Sequence, residues 1–327
     1  MKKLLLILLC ALLISGSGCK DEENKLSSTQ VMMDTVITVT VWDSDLETLN
    51  GAIELCRQYE HLLSRTIDSS DIATLNRNKL ATVSSDTVEL LQLALEVSER
   101  SNGSFDVTIL PLVEIWDINN ADTPPSKKSI DEAIKSANYK AITIDGTTVN
   151  TNGVRLDLGG IAKGFIADKV CEYLTSRGVK KAIINLGGNV QLIGSNGGKD
   201  YTVGIQKPFG LHGESAVLLK LQNKTAVTSG IYERYFEFEG KIYHHVLDPK
   251  TGYPTDNGIQ SVTILANRSA LADSLSTACL VLGVEEGTKL AKSFGAEAVF
   301  LLSDGSIVVT ENLKVDQNGP TPTVTYK

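Results

Sequence analysis

Residues 156–190 read LDLGGIAKGFIADKVCEYLTSRGVKKAIINLGGNV, and this stretch sets the fold class. Residues 156–160 have the look of a short strand that ends on Gly159-Gly160. A helix from about Lys163 to Ser176 follows, and Gly178 suits its C-terminal cap. Residues 182–186 are β-branched and apolar, a second strand that runs into Gly187-Gly188. Upstream, residues 31–42 alternate and are rich in Val, Ile and Thr, which predicts a strand. Ser44 with Glu47 forms a capping box for a helix to about Leu63. Residues 66–80 read as loop, 86–101 as helix, and 104–120 as less regular around Pro111. Ser129 with Glu132 caps another helix, and strands at 142–144 and 154–158 flank a turn at Gly146. Downstream, strands are expected at 203–206, 216–222, 233–238 and 262–266. A helix over 269–282 ends at Gly283, and 298–302 with 307–310 make a hairpin. Strands come in pairs, interleaved with helices without strict alternation. That pattern predicts an α+β fold with mixed or antiparallel sheets and packed helices.

The N-terminal end is different in kind. Lys2 and Lys3 precede an apolar run over residues 4–14, too short to span a bilayer comfortably and suited to a signal peptide. Ser17-Gly18-Cys19 then resembles a lipobox, whose cysteine would be lipidated; the alternative is an ordinary cleaved leader with an incidental cysteine. The expected organisation is a lipoprotein signal over residues 1–19, a flexible tether over 20–30, and one catalytic domain over 31–327. Such a chain would be a membrane-anchored lipoprotein outside the cytoplasm, on the periplasmic side of the inner membrane or at the outer membrane.

A formal net charge of -8 argues against nucleic acid as a partner. Beyond Cys10 and Cys19, the chain has Cys56, Cys171 and Cys279, which read as small buried hydrophobes rather than a disulfide set. With only four histidines, the composition argues against a His-rich metal site.

Four segments carry candidate chemistry. Asp157-Leu158-Gly159-Gly160-Ile161-Ala162-Lys163-Gly164 combines two glycines, a helix start and a lysine. Backbone can approach a ligand closely there, and a helix N-terminus favours a phosphate. A ligand-free tight turn is the alternative. Thr228-Ser229-Gly230 suits either a ligand-facing turn or a hairpin entry. Residues 243–254, YHHVLDPKTGYP, hold two histidines and Asp248. If residues 243–247 are extended, His245 and Leu247 share one face and His244 points the other way. At most one histidine would then face a site, where a nearby carboxylate would suit proton transfer. Finally, Asp273 and Thr277 lie four apart on a helix and so share a face, an arrangement that suits a hard cation with oxygen ligands. A solvated or capping Asp273 is the alternative.

Taken in order, these motifs resemble the ApbE family of FAD:protein FMN transferases. Met33-Asp34-Thr35, Leu63-Ser64 through Asn76, Ser104-Phe105-Asp106-Val107-Thr108 through Trp116, and Asn185-Leu186-Gly187-Gly188-Asn189 extend the match over nearly the whole mature chain. The resemblance implies an ApbE-like fold, FAD as substrate and Mg2+ as cofactor. It implies that Met33, Ser104, Phe105, Asp106, Asp157, Lys163 and Leu247 contact FAD. It also implies a metal held by Gly160, through its backbone oxygen, with Asp273 and Thr277, and His245 as the acid–base residue. The implied partner is an acceptor redox protein with a Ser/Thr-Gly-Ala-Thr type motif, which takes FMN on a hydroxyl while AMP leaves. The chain departs from some members at Gly160 (Thr there), Ser276 (Asp there) and Lys163 (Glu there). An FAD pyrophosphatase and a non-catalytic FAD carrier are the alternatives that the residues leave open.

Overall fold

The computed structural model describes residues 24–211 and 213–327. The expected leader, Cys19 and residues 20–23 of the expected tether lie outside the described residues. The chain begins with a hairpin of β1 (Lys25–Met32) and β2 (Thr35–Trp42). A helical stretch follows: α1 (Leu46–Leu63), α2 (Asp71–Asn78), the short β3 (Leu80–Thr82) and α3 (Ser85–Arg100). Then come α4 (Leu110–Trp116), α5 (Lys127–Ile134), and the hairpin of β4 (Thr143–Asp145) with β5 (Thr148–Asn150). Helix α6 (Ala162–Ser176) leads to β6 (Ala182–Leu186), β7 (Asn189–Ile193), β8 (Tyr201–Gln206), β9 (Ser215–Leu221) and β10 (Thr225–Gly230). A small ribbon of β11 (Tyr235–Phe238) and β12 (Lys241–His244) precedes β13 (Ile259–Ala266), α7 (Ser269–Leu282) and α8 (Val284–Ser293). The chain closes with β14 (Glu297–Leu302), β15 (Ile307–Val309), β16 (Leu313–Asp316) and β17 (Thr323–Tyr326).

The main sheet has eight strands in the order β1-β2-β6-β7-β10-β13-β14-β15, and every neighbouring pair in it is antiparallel. A four-stranded sheet, β16-β17-β9-β8, is mixed because β17 and β9 run parallel. The expected α+β class with mixed and antiparallel sheets is therefore the observed one. Strand alternation divides the large sheet into two faces. Ile37, Val39 and Val41 of β2 face the helices, and all three are fully buried with Ala52, Phe165 and Leu275 in one core. On the other face, Leu192, Ala226, Leu265 and Val299 pack against Val217 and Leu219 of the smaller sheet. A third cluster joins Leu112 and Trp116 of α4 to Ile130 of α5 and to Leu247.

Several expectations change. Residues 25–30, expected as tether, form most of β1, which pairs with β2 from Lys25↔Trp42 onward. Their polar composition is that of an edge strand with a wet face, and Thr29 meets Thr38 hydroxyl to hydroxyl at 3.0 Å. The expected loop over 66–80 contains α2; Ser70 is its N-cap and accepts from the Ala73 N–H at 2.9 Å. Asp45 rather than Ser44 caps α1, and Ser126 rather than Ser129 caps α5. The expected strand at 154–158 is an extended strap with one bridge, Ile109↔Arg155. Asn76 pins the strap by giving its amide N–H to the Leu156 carbonyl at 2.9 Å and accepting from the Leu156 N–H at 2.6 Å.

Two helices on the inner face exchange carboxylates. Helix α7 has no side-chain cap of its own. Asp168, on α6, fills that role and accepts from the N–H groups of Ser269 at 2.6 Å and Ala270 at 2.9 Å. In return Asp273, on α7, accepts from the Gly164 N–H in the first turn of α6 at 2.9 Å. The helices approach so closely that a Cβ on Gly164 would lie 2.2 Å from the Ser269 carbonyl oxygen. Only glycine permits that contact. We expect Asp168→Ala to lower stability by about 1–3 kcal/mol, since two charge-assisted caps are lost. A urea unfolding midpoint equal to that of the wild type would refute the cross-helix cap.

Candidate active site

A cleft of about 590 Å3 opens where the N-terminal ends of α6 and α7 meet the turns of the large sheet. Two hairpin turns form part of its rim. Between β1 and β2, Met33 and Asp34 both take positive φ, 52° and 56°. These are the angles of a type I′ turn, which normally selects Gly or Asn. A non-glycine residue held there stores strain on the order of 1–3 kcal/mol. The Met33 N–H is held by Glu60 Oε1 at 2.6 Å, which fixes the turn from α1. Between β6 and β7, Gly187 and Gly188 have φ of 63° and 88°. A Cβ on Gly187 would meet the Thr35 hydroxyl at 2.4 Å, so the two turns nest through a bare backbone.

The glycine segment ahead of α6 forms the floor. Asp157 Oδ1 accepts from the Gly159 N–H at 2.7 Å, and its Oδ2 pairs with Arg65 at 3.0 Å. Both oxygens of that carboxylate are thus engaged in shaping the loop. Helix α6 has no side-chain cap at Ile161; its Ala162 N–H donates to the Leu158 carbonyl at 2.9 Å and its Gly164 N–H to Asp273, which leaves the Lys163 N–H of the first turn for an anion. Lys163 Nζ rests 3.4 Å from the Gly159 carbonyl, and its charge reaches Asp273, Glu233 and His245.

The opposite wall comes from α7 and β10. Asp273 is buried, and burial raises its carboxyl above the usual carboxylate range against the pull of Lys163 and the Gly164 N–H. Thr277 lies one turn further on. A Cβ on Gly160 would sit 3.4 Å from Thr277 Oγ1 and 3.2 Å from the Phe105 ring, which puts the Gly160 backbone between them. Ser229 meets Ser276 at 2.7 Å and Thr277 at 3.4 Å, and so ties β10 to α7. Among the described residues no three His, Cys, Asp or Glu side chains converge as a metal cluster. A cation here would instead have one carboxylate, a hydroxyl and a carbonyl, with the rest of its shell from water or a ligand. That donor set suits a hard ion such as Mg2+, which keeps waters and binds phosphate oxygens.

The two histidines separate as strand alternation requires. His244 is buried; its Nε2–H donates to the Thr255 carbonyl at 2.9 Å and its Nδ1 accepts from the Val246 N–H at 3.3 Å. It is a satisfied core residue. His245 lines the cleft with Leu247. Its Nδ1 lies 3.3 Å from the Arg234 carbonyl, which can only accept. The ring therefore carries its proton on Nδ1 and turns the Nε2 lone pair free. Asp248 is not beside it: it shapes the next turn, accepting from the Lys250 N–H at 2.9 Å. The expected aid of a nearby carboxylate to the histidine is not the geometry found.

All of the sequence-predicted site residues border this one cleft. Met33 comes from the β1–β2 turn, and Ser104, Phe105 and Asp106 from the segment after α3. Asp157, Gly160 and Lys163 come from the floor, His245 and Leu247 from the strand after β12, and Asp273 and Thr277 from α7. Ser104 and Phe105 offer little surface, being nearly buried. Asp106 faces inward: its Oδ1 takes the Thr108 N–H and hydroxyl at 2.8 and 2.7 Å, and burial raises its carboxyl. Thr228-Ser229-Gly230 is the end of β10 rather than a turn. Wall residues beyond the predicted set include Glu60, Arg65, Asn189, Glu233 and Arg234. Glu233 and Arg234 directly follow a predicted motif, but Glu60 sits in the last turn of α1, where nothing in the sequence marks it.

Burial, with Arg234 and Lys163 nearby, pushes the His245 ring down to about 3. The folded ring resists a proton that the unfolded ring takes near 6.5. This contribution to stability is thus full above about pH 6.5 and is lost as pH falls toward the folded value. In an NMR titration of the ligand-free protein, His245 should keep the signals of a neutral ring down to about pH 5. A midpoint near 6.5 would contradict the closed environment.

The geometry has parallels. A family model described as "ApbE family" matches residues 33–300. An FAD:protein FMN transferase of Klebsiella pneumoniae (strain 342) is 34% identical over 293 residues, covering 87% of this chain and 91% of that protein. One from Treponema pallidum (strain Nichols) is 33% identical over 327 residues, covering 91% and 90%. Among solved structures, the ApbE protein of Thermotoga maritima MSB8 superposes with a TM-score of 0.80 at 31% identity, covering 88% of this chain and 97% of that one. The flavin transferase ApbE from Vibrio cholerae gives the same TM-score at 24% identity, covering 88% and 98%.

Proposed function

The chain belongs to the ApbE family, and from that premise we propose how its cleft moves FMN from FAD to an acceptor protein in a Mg2+-dependent reaction. It is an FAD:protein FMN transferase; the metal, the leaving group and the acceptor chemistry are the further reading. The carrying observation is the juxtaposition of a cation-and-phosphate corner with a neutral base. The corner is Asp273, Thr277 and Gly160 beside Lys163 at the start of α6. The base is the free Nε2 of His245.

The cleft has two characters that match the two parts of FAD. Met33, Ile109, Val113 and Ile118 give apolar surface for a ring system, and Lys163, Ser229, Asp273 and Thr277 give charge and hydroxyls for a pyrophosphate. Mg2+ on Asp273, Thr277 and the Gly160 carbonyl would neutralise charge on the phosphate oxygens. The Lys163 N–H in the first turn of α6 and the Lys163 ammonium would hold the same oxygens and orient the phosphorus for in-line attack. A Ser or Thr hydroxyl of the acceptor gives its proton to His245 Nε2 as its oxygen bonds to the FMN-side phosphorus. The anhydride bond to the other phosphate breaks, and AMP leaves with the electron pair. Arg234 holds the imidazole through its carbonyl, and burial with the Arg234 charge keeps the ring neutral before the acceptor hydroxyl arrives. FMN remains as a phosphoester on the acceptor.

The anchor proposed for this enzyme is a lipid on Cys19, which lies outside the described residues. Because β1 already begins at Lys25, residues 20–24 could span at most about 18 Å fully extended. The Lys25 end of β1 would then lie close to a membrane surface outside the cytoplasm, with the cleft at the opposite end of that strand. Intact-mass analysis of protein from the membrane fraction checks this: a mature chain that starts elsewhere than a lipidated Cys19 would end the idea.

The central test uses protein from residue 24 onward with FAD, Mg2+ and an acceptor peptide containing Ser-Gly-Ala-Thr, read by mass spectrometry. The peptide should gain one FMN with release of AMP, and chelation should stop both. Asp273→Asn keeps an acceptor for the Gly164 N–H but removes the charge, so it should fold normally and lose on the order of 100–1,000-fold in kcat. Free FMN and AMP with unmodified peptide would mean a pyrophosphatase. Intact bound FAD would mean a carrier.

A further inference from the structure

A second groove, of about 720 Å3, lies on the opposite face of the eight-stranded sheet. It shares Lys163, Gly187, Thr228, Glu233 and Arg234 with the cleft, so the two hollows meet around the β6–β7 turn. Its floor is the outer face of the large sheet at Val36 and Thr38 of β2, Asn185 of β6 and Val190 of β7. That part of the sheet is not fully covered by the four-stranded sheet, and Val36 is 57% exposed. The wall is β8, the edge strand of the smaller sheet. Four consecutive residues, Val203 to Gln206, border the groove. Side chains alternate along a strand, so an unbroken run means that the groove meets the backbone edge itself.

The register shows where the polar groups of that edge point. The Leu218 N–H on β9 donates to the Pro322 carbonyl at 2.9 Å, beside the parallel partner β17. A strand residue directs its N–H and C=O to the same side, so both of these groups on Leu218 face away from β8. Gly204 stands opposite Leu218. The two therefore form a non-hydrogen-bonded pair, and the N–H and C=O of Gly204 point outward into the groove. Two residues on, the Gln206 carbonyl accepts from the Tyr232 hydroxyl at 3.5 Å, from the groove side. Open edges are ordinarily blunted by charge or proline. This one reads Tyr-Thr-Val-Gly-Ile-Gln, without either. Tyr232 also continues into an aromatic group with Phe209 and Tyr235, which are 42% and 43% exposed.

We propose that this groove docks an extended segment of the acceptor protein, which adds as a strand to β8 and carries its hydroxyl past the β6–β7 turn to the cleft. The inference rests on the transferase reading above. Three features select such an occupant. The groove is continuous with the cleft through charged residues that border both. Its wall offers an unpaired main-chain donor and acceptor, which read a backbone rather than a particular side chain. Gly187 and Gly188 at the junction present no side chain to block a passing peptide, and the nearest atom to a Cβ on Gly188 is 3.9 Å away.

The test uses the same Ser-Gly-Ala-Thr peptide, extended by several residues on each side. Amide exchange within 201–206 should slow when the peptide saturates the enzyme. Val36→Arg, on the open floor and outside the cleft, should raise the acceptor KM about tenfold or more while FAD binding and kcat stay within twofold. N-methylation of alternate peptide amides should weaken transfer in one phase of alternation only, the phase that faces β8. Unchanged exchange at 201–206 with peptide bound, or a wild-type KM for Val36→Arg, would overturn the groove. Protection of β8 by a peptide that never gains FMN would instead retain the groove and remove the transferase reading.

Discussion

The reciprocal contact of α6 and α7 is the constraint on which the site depends. Asp168 caps α7 from α6, and Asp273 caps Gly164 from α7. Neither carboxylate is exposed enough to be satisfied by water alone, so each fixes the other helix in rotation and in height. Gly164 allows the backbones to touch, and a larger residue would force them apart. This arrangement brings the Asp273 and Thr277 face of α7 to the glycine segment ahead of α6. A small error in that crossing would separate the carboxylate from the helix N-terminus, and phosphate chemistry tolerates little misplacement.

Around that fixed point, the site is assembled from the ends of elements rather than from their middles. Turns at Met33-Asp34 and Gly187-Gly188 close over one another because one of them lacks side chains. The strain at Met33 is held by Glu60 on α1, so the turn is set by the helix layer and not by its own sequence. The strap over residues 154–158 has no sheet to support it and is pinned by Asn76 instead. Rigid layers thus hold irregular backbone, which lets the backbone itself approach a ligand.

The charges of the cleft are arranged for a ligand that brings both signs. Lys163 acts on Asp273, Glu233 and His245 together. Desolvation makes a buried carboxylate costly unless a cation joins it, and Asp273 is in that position. The same dry surroundings keep His245 neutral, in the form that can take a proton. In the proposed reaction, that one environment would draw a cation to Asp273 and keep His245 unprotonated until the hydroxyl arrives.

The sequence by itself determined the fold class, because paired apolar strands and glycine-capped helices are local patterns. Motif order also picked out residues that the fold brings to one cleft, and the two-residue period of a strand separated His245 from His244. The sequence did not reveal that residues 25–30 are a strand, since an edge strand with a wet face is as polar as a tether. It read 66–80 as loop because the serine and aspartate that start α2 also mark turns. Asp157 and Asp106 each bond locally to the residue two further on, Gly159 and Thr108, but tertiary structure alone decided that Arg65 and Tyr139 take their other oxygens. It alone decided that Asp168 caps a helix 101 residues away and that Gly204 faces a groove. Those facts depend on which strands and helices become neighbours, and that is set by packing of the whole chain rather than by the residues on either side.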